Sequence, residues 1–179
     1  EGRLYSGRDA WWYIPRRPMG GPGAGDQGAS YYLAPNPPFG AVFTYSLGEG
    51  LKTREAARQE REKPLAKEGK DTPMPPIAEL EAERRETKPE ILLVVRDAQG
   101  NVVRRVSGPT AKGLYRVAWD LRRPATDAVT SLESGGGDFG PTGALVAPGR
   151  YTVTLAKSVD GAITELGAPQ SFEVVRLRE

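Results

Sequence analysis

The chain has 179 residues, with 25 basic and 23 acidic side chains, and it contains neither histidine nor cysteine. The balanced charge provides no concentrated basic face for nucleic acid, and no apolar run is long enough for membrane insertion. Ser-His-Asp and Cys-His catalysis are excluded within this chain, and zinc, haem and iron–sulfur sites lack their usual ligands. We therefore expect no enzyme, no cofactor and no metal.

The first 30 residues have an irregular composition. One short strand is predicted around Trp11–Ile14, and the glycine-rich run 19–28 has the composition of a flexible linker. We interpret residues 1–30 as a linker and exit strand from an upstream domain, and residues 31–179 as one further domain. Because residue 1 is a glutamate, with no start methionine or signal peptide before it, we expect a fragment of a longer protein or a processed product.

The next predicted elements are a strand and a charged helical insertion. Residues Ala41–Leu47 are rich in β-branched and aromatic side chains, which predicts a strand. Residues 52–88 have a helical composition, with a first helix expected to be broken or to end near Pro64 and to be closed by Gly69. A second helix is expected after Pro76. The apolar stripe of this second helix is sparse, and acidic and basic residues are interleaved throughout the insertion. Both features indicate a solvated helical hairpin and not a nucleic-acid or membrane helix.

From residue 90 onward the sequence predicts a succession of strands, interrupted by a long loop at 122–149. The strand segments are Ile91–Arg96, Val102–Val106, Leu114–Leu121, Tyr151–Leu155 and the stretch around Phe172 and Val174. Short strands separated by turn signals, without a βαβ rhythm, predict a mainly β fold. We expect an Ig-like or fibronectin-like antiparallel β-sandwich of about seven strands, with the charged helical hairpin inserted.

The segment Val95–Val106, VRDAQGNVVRRV, concentrates charge at a predicted turn. Gly100 and Asn101 are residue types that tolerate a positive φ, so a hairpin turn accounts for them. Arg104 and Arg105 should project from opposite faces of a regular strand, which disfavours a two-pronged anion clamp. The alternation of apolar residues in this strand is imperfect, and a β-bulge or an edge position would resolve it.

Trp11, Trp12 and Tyr13 are the candidate ligand-binding residues. Exposed aromatic rings can stack on sugars, which makes a carbohydrate platform one interpretation. Adjacent side chains on a strand point in opposite directions, so at most two of the three can share a surface. Docking on a neighbouring domain, or burial in the core, is the favoured interpretation. Trp119 is predicted to be a core residue whose indole N–H needs an acceptor.

Carboxylates remain the other residues with possible chemistry. The acids of the helical insertion are best explained as a solvated face and not as a glycosidase pair. Asp120, Asp127 and Asp138 lie on or near the long loop, but their spacing matches no EF-hand loop. Neither observation favours a catalytic or a calcium-binding role.

Parts of the sequence resemble known bacterial domains. The stretches at 100–104, 113–120 and 147–151 resemble the Ig-like domain of flagellar hook-capping proteins and of many bacterial secreted proteins. Residues 31–177, from NPPFGAVFTYSL to QSFEVV, resemble the C-terminal domain of bacterial sortilin-like, BNR-repeat propeller proteins, which are often labelled glycosyl-hydrolase-like. In that family the propeller precedes this region, so the resemblance implies a non-catalytic accessory module outside the cytoplasm, secreted or periplasmic.

These observations lead to a structural or interaction role. The expected partner is the upstream β-propeller of the same protein, with a polysaccharide or another protein as further candidates. Nucleic acid and membrane insertion are not expected. The alternative is a carbohydrate-binding module that uses Trp11, Trp12 and Tyr13 and accompanies a glycosyl-hydrolase-like protein.

Overall fold

Two β-sheets and two α-helices make up the described part of the chain. The computed structural model describes residues 2–14, 37–69, 71, 74–126 and 143–177. In chain order the elements are β1 (Gly2–Leu4), β2 (Ala10–Trp12), β3 (Ala41–Leu47), α1 (Arg54–Lys67), α2 (Ile77–Arg85), β4 (Glu90–Arg96), β5 (Val102–Gly108), β6 (Gly113–Trp119), β7 (Gly149–Val159), β8 (Ala162–Glu165) and β9 (Gln170–Arg176). The predicted mainly β class is confirmed. The strands that the sequence did not predict are the very short β1 and the fully exposed β8, which shows no alternating pattern.

Hydrogen bonding orders the strands into two sheets. The first sheet has the order β1-β3-β6, and the second has the order β2-β9-β7-β4-β5, with β8 also paired to β7. Neighbouring strands are antiparallel except β2 and β9, which run parallel. The two helices are inserted between β3 and β4, which belong to different sheets.

The N-terminal segment contributes one edge strand to each sheet. Gly2 lies opposite Leu47 at the edge of the first sheet, and Ala10 lies opposite Val174 at the edge of the second. This segment, which the sequence analysis assigns to a linker and exit strand, therefore bridges both sheets. The glycine-rich run at 19–28 and the centre of the predicted long loop lie outside the described residues.

The two sheets bury one common hydrophobic cluster. Along β3, buried side chains alternate with partly exposed ones, so that Tyr45 points into the cluster. Trp119 is 1% exposed, and its ring meets those of Tyr151 and Phe172 edge-on, at centroid distances of 6.0 and 6.4 Å. Full burial of a large apolar side chain stabilises a fold by about 1.5–3 kcal/mol. The prediction that Trp119 belongs to the core is confirmed, and its indole N–H donates to the Arg122 carbonyl oxygen at 2.9 Å.

Two close approaches hold β3 against neighbouring backbone. Gly40 has a φ of +102°, and a β-carbon at this position would lie 1.9 Å from the Trp119 carbonyl oxygen, so only glycine fits. The buried Tyr45 hydroxyl donates to the Pro109 carbonyl oxygen at 2.7 Å. Burial, with a smaller contribution from Tyr115, raises the pKa of Tyr45 to about 12. Tyr45 therefore stays protonated and serves as a structural hydrogen-bond donor.

The turn between β4 and β5 is built around the carboxylate of Asp97. Its Oδ1 accepts the backbone N–H groups of Gln99 and Asn101 at 3.0 and 2.9 Å, and its Oδ2 accepts the Asn101 side chain at 3.1 Å. Desolvation acts to raise the pKa of Asp97, but these hydrogen bonds outweigh it and lower the pKa. Gly100 has a φ of +85°, which confirms the predicted turn. Asn101 does not take a positive φ and contributes through its hydrogen bonds to Asp97 instead.

A β-bulge follows this turn on β5. The register between β4 and β5 shifts immediately after Val95, so that the buried Val103 is an extra residue on β5. The bulge that the imperfect alternation suggested is confirmed. Beyond it, Arg104 lies opposite Val95 and Arg105 lies opposite Val94, so the two arginines project from opposite faces of the strand, as predicted.

Both helices form within the predicted charged insertion. The Thr53 hydroxyl accepts the Ala56 N–H at 3.1 Å and caps the start of α1. The sequence predicts a break or an end near Pro64, but α1 continues for three more residues. The predicted closure by Gly69 is confirmed, since Gly69 follows the C-cap with a φ of +68°. A proline in the last turns removes one donor, yet the Pro64 carbonyl still accepts the Glu68 N–H at 3.1 Å. Neither helix contains a buried residue.

Candidate functional site

The candidate site is the aromatic segment of β2, which is an edge strand of the second sheet. Ala10 is buried, whereas the next side chain, Trp11, is 57% exposed. Trp11 lies opposite Val175 of β9, and Trp12 lies opposite Arg176. Trp11 and Trp12 therefore leave opposite faces of the strand, and only Trp11 presents an open ring to solvent.

Trp12 is engaged within the chain. Its indole N–H donates to the Val146 carbonyl oxygen at 2.8 Å, and its ring packs against the common core. The Arg176 guanidinium lies 5.5 Å from the ring centroid, a cation–π contact. These contacts anchor the edge strand and leave Trp12 little free surface for a ligand.

Tyr13 and its surroundings extend the exposed apolar area. The Tyr13 ring is 40% exposed and meets Phe39 edge-on at a centroid distance of 4.9 Å. Ile14 is 70% exposed, and Leu177, whose N–H donates to the Trp12 carbonyl oxygen at 3.2 Å, is 57% exposed. The exposed side chains gathered along this edge, here named the β2 surface, are Trp11, Tyr13, Ile14 and Leu177.

Part of this surface is predictable from the sequence. Of the three consecutive aromatic candidates, Trp11 and Tyr13 belong to the β2 surface. Ile14 and Leu177 lie far apart in sequence, and the parallel pairing of β2 with β9 brings them to one edge. Their exposure has no sequence signal, because isolated aliphatic residues near irregular segments are as easily buried as exposed.

A second feature, distinct from the apolar β2 surface, is the charged contact between the two helices. The Arg58 guanidinium donates to Glu83 through two hydrogen bonds of 2.7 and 3.1 Å, and to Glu62 at 2.9 Å. Arg54 of the same helix donates to Asp160, in the β7–β8 turn, at 2.6 Å. The helices are therefore joined to each other and to the second sheet through ion pairs at the surface.

The resolved pKa shifts indicate structural groups. Hydrogen bonding to Arg58 lowers the pKa of Glu83, and hydrogen bonding to Lys52 lowers that of Glu60. Burial raises the pKa of Tyr151, whose hydroxyl donates to a backbone carbonyl. Lowered carboxylate pKa values and raised tyrosine pKa values lie farther from neutral pH, whereas a general acid or base works best with a pKa near neutral pH. None of these shifted groups is poised for proton transfer.

Within the described residues, the carboxylates considered for metal binding do not lie together in a cluster. Within the described ranges, no group of three or more Asp, Glu, His or Cys side chains is arranged to hold a metal ion. The Asp120 carboxylate accepts the Arg122 N–H at 3.1 Å and thereby closes a local turn. Asp127 and Asp138 lie outside the described residues.

Comparisons with protein-family models, with curated proteins and with solved structures give no match for this chain. The relation to bacterial propeller proteins therefore remains an expectation from the sequence segments alone. No helix within the described residues combines the length and the apolar character needed to cross a bilayer.

Proposed function

We propose that the chain is a non-catalytic interaction module that packs on a neighbouring domain through the β2 surface. The observation that carries this proposal is the gathering of exposed large apolar side chains along one sheet edge, with Trp11 and Ile14 more than half exposed. Several large apolar side chains exposed along one edge are typical of interaction sites, and aromatic anchors contribute much of the energy at such interfaces. The absence of histidine and cysteine from the sequence also favours a non-catalytic role.

We also propose that the fold is an Ig-like β-sandwich. In that architecture, a sheet of strands A, B, E and D packs face to face on a sheet of strands C, F and G, which strand C′ joins in variable-type domains. The orders β1-β3-β6 and β9-β7-β4-β5 correspond to A-B-E and G-F-C-C′, with no counterpart of strand D among the described residues, and this correspondence supports the proposal. Further support comes from Tyr151 near the start of β7, whose hydroxyl donates to the Ala147 carbonyl at 2.7 Å, like the tyrosine corner of Ig-like domains.

The occupant that we propose for the β2 surface is a preceding β-propeller domain of the same protein, outside the cytoplasm. The resemblance to the C-terminal domain of sortilin-like, BNR-repeat proteins supports this context. The position of the surface supports it as well, because Trp11, Tyr13 and Ile14 lie in the N-terminal segment, close in sequence to any domain before it.

The test is a binding measurement between separately produced partners. The 179-residue chain is titrated by calorimetry with the polypeptide that precedes it in the same protein. We expect the double change Trp11→Ser with Ile14→Ser to weaken binding by at least about tenfold, as removal of anchor residues does. Leu114→Ser is the matched control, because Leu114 is 67% exposed on β6 and lies outside the β2 surface. Absence of binding, or equal losses in both variants, would contradict the proposal.

The exposure of Trp11 favours one second candidate, a carbohydrate-binding module. An indole ring that is 57% exposed on a sheet edge can stack on a pyranose ring. Trp12 and Trp119 are buried or half-buried, so quenching by a ligand at the edge should come mainly from Trp11. A fluorescence titration against soluble polysaccharides should then show a change in the unmodified chain, and calorimetry should show that Trp11→Phe weakens binding and Trp11→Ala abolishes it. No fluorescence change across the panel would reject this candidate.

A further inference from the structure

The opposite edge of the second sheet, at β5, carries unpaired backbone. Within the described residues β5 pairs only with β4, so the other side of the strand has free N–H and C=O groups. The bulge at Val103 confines the regular part of the strand to residues 104–108. An edge of this kind is a template for an added strand unless charge or shape opposes pairing.

A cleft of about 450 Å³ opens beside this edge. One wall comes from β5, with Arg104, Arg105 and Ser107, and the other wall comes from the end of β6 and the residue after it, with Ala118 and Asp120. The cleft is therefore the gap between the edges of the two sheets, and an extended chain lying in it would run along β5.

Two arginines without an ion-pair partner among the described residues give the cleft its charge. Neither Arg104 nor Arg105 forms an ion pair with a carboxylate there, whereas five other arginines do. Asp120, the acid in the cleft, is already hydrogen-bonded to the Arg122 N–H. Guanidinium groups bind carboxylates through paired, charge-assisted hydrogen bonds, so the cleft favours an acidic ligand.

We propose that the β5 edge binds an extended acidic peptide, which adds to the second sheet as a further strand. Main-chain hydrogen bonds to the free edge of β5 would provide the pairing, and acidic side chains would neutralise the arginines. A polysaccharide could satisfy the charge but not the alternating N–H and C=O groups of a strand edge, which is why a peptide is favoured. This site is independent of the β2 surface, which lies at the other edge of the same sheet.

The register of β5 specifies the arrangement of the acids. Arg104 and Arg105 are adjacent and project from opposite faces, since they lie opposite Val95 and Val94 of β4. In an added strand, residues directly across from them must also be adjacent and on opposite faces. Two consecutive glutamates can therefore meet both arginines, whereas glutamates separated by one residue share a face and can meet only one.

The arginines and the bulge also explain how this edge avoids indiscriminate pairing. Charged side chains and bulges are common devices against edge-to-edge aggregation. A partner without acids would bring the arginines no compensating charge, and a basic strand would be repelled. The same features that block general association are therefore the ones that select an acidic strand.

The test compares two capped octapeptides of identical composition, Thr-Val-Thr-Glu-Glu-Thr-Val-Thr and Thr-Val-Glu-Thr-Glu-Thr-Val-Thr. Binding to the full 179-residue chain is measured by calorimetry at low salt. We expect the Glu-Glu peptide to bind at least about threefold more tightly than its isomer, which is the scale of one cross-strand charge pair. N-methylation of alternate peptide nitrogens should abolish binding, because it removes the main-chain pairing.

Variants of the chain separate this site from general electrostatics. Arg104→Gln and Arg105→Gln should each lower the affinity for the Glu-Glu peptide by about threefold. Each change should also remove the preference for this peptide over its isomer. Arg116→Gln is the matched control, because Arg116 is an exposed arginine of β6 that does not line the cleft. Equal binding of the two isomers overturns the proposal, and so does an equal loss in the Arg116 variant. Binding of heparin but not of the peptides, or no peptide binding at about 1 mM, overturns it as well.

Discussion

Arg58 of α1 and Glu83 of α2 are joined by two parallel hydrogen bonds, Nε to Oε1 at 2.7 Å and Nη2 to Oε2 at 3.1 Å. This pair connects two helices that contain no fully buried residue, so ion pairs are a large part of the contact between the helices. Each helix also has a partly buried leucine, Leu65 in α1 and Leu80 in α2. The helical insertion should accordingly respond to salt and pH independently of the sheets, whose stability comes from the common core.

Replacement of Arg58 should loosen the helices without affecting the sheets. Arg58→Ala removes the bonds to both Glu83 and Glu62, and we expect faster amide hydrogen exchange throughout α1 and α2. Exchange in β3 and β7 should not change, because these strands belong to the core. The matched control is Arg84→Ala, which removes an exposed arginine of α2. Similar acceleration in both variants would mean that the Arg58 pair is not what joins the helices.

Acid should loosen the same helices. Arg58, and to a smaller extent Arg61, lowers the pKa of Glu83 in the folded chain below its ordinary value of 4.5. A group with a lowered folded pKa stabilises the fold fully above its unfolded pKa and loses that effect as the pH falls through the folded value. The protection of the α1 and α2 amides, which is the exchange rate relative to the intrinsic rate at the same pH, should therefore be constant above about pH 4.5 and fall below it. In the Glu83→Gln variant, the α1 and α2 amides should be less protected already at neutral pH, and their protection should change less in acid. Hydrogen exchange measured at several pH values tests both expectations.

Two glycines with a positive φ should differ in their tolerance of alanine. At Gly40, with a φ of +102°, an added β-carbon would lie 1.9 Å from the Trp119 carbonyl oxygen, whereas at Gly100, with a φ of +85°, it would meet nothing within 4 Å. Gly100→Ala should cost only the backbone strain of about 1 kcal/mol. Gly40→Ala adds a steric clash with backbone and should cost more than about 3 kcal/mol or prevent folding. Urea unfolding of the two variants measures the difference, and equal losses would show that β3 can move away from Trp119.

Removal of the Tyr151 hydroxyl should have a moderate and local effect. Tyr151→Phe deletes the hydrogen bond to the Ala147 carbonyl oxygen at 2.7 Å and leaves the stacked contact with Phe172 in place. We expect a loss of about 1 kcal/mol in the free energy of unfolding, the usual net value of one hydrogen bond. Tyr13→Phe is the control, since the Tyr13 ring is 40% exposed. A loss below about 0.3 kcal/mol in Tyr151→Phe would argue against a structural tyrosine corner.

Local patterns predicted most strands well. Ala41–Leu47 was identified with its observed bounds, because β-branched and aromatic residues alternate there between a core face and an outer face. The Asp97–Asn101 turn was also predictable, since the hydrogen bonds that close it form among the five residues from Asp97 to Asn101. Closure of α1 by Gly69 was predictable from the sequence, whereas the expected break or end near Pro64 does not occur, because the remaining turn absorbs the destabilising effect of proline.

The candidate site was predictable only in part. Consecutive aromatic residues drew attention to β2, but the sequence does not say which ring faces the core. The bond from Trp12 to the Val146 carbonyl joins residues far apart in the chain, and it decides that Trp12 is the anchor and Trp11 the exposed ring. The β5 cleft was hidden for the same reason, because its second wall comes from β6 in the other sheet.

The mainly β class could be predicted from the sequence alone, and so could the position of the charged helices, the Asp97–Asn101 turn and the core role of Trp119. Each of these depends on spacing or chemistry within a few residues, where backbone geometry leaves few alternatives. The pairing of the strands, the identity of the edge strands and the contacts across the sheets became known from the three-dimensional fold. Those outcomes depend on the summed burial of the common core, and burial is a property of contacts between distant segments rather than of any one of them.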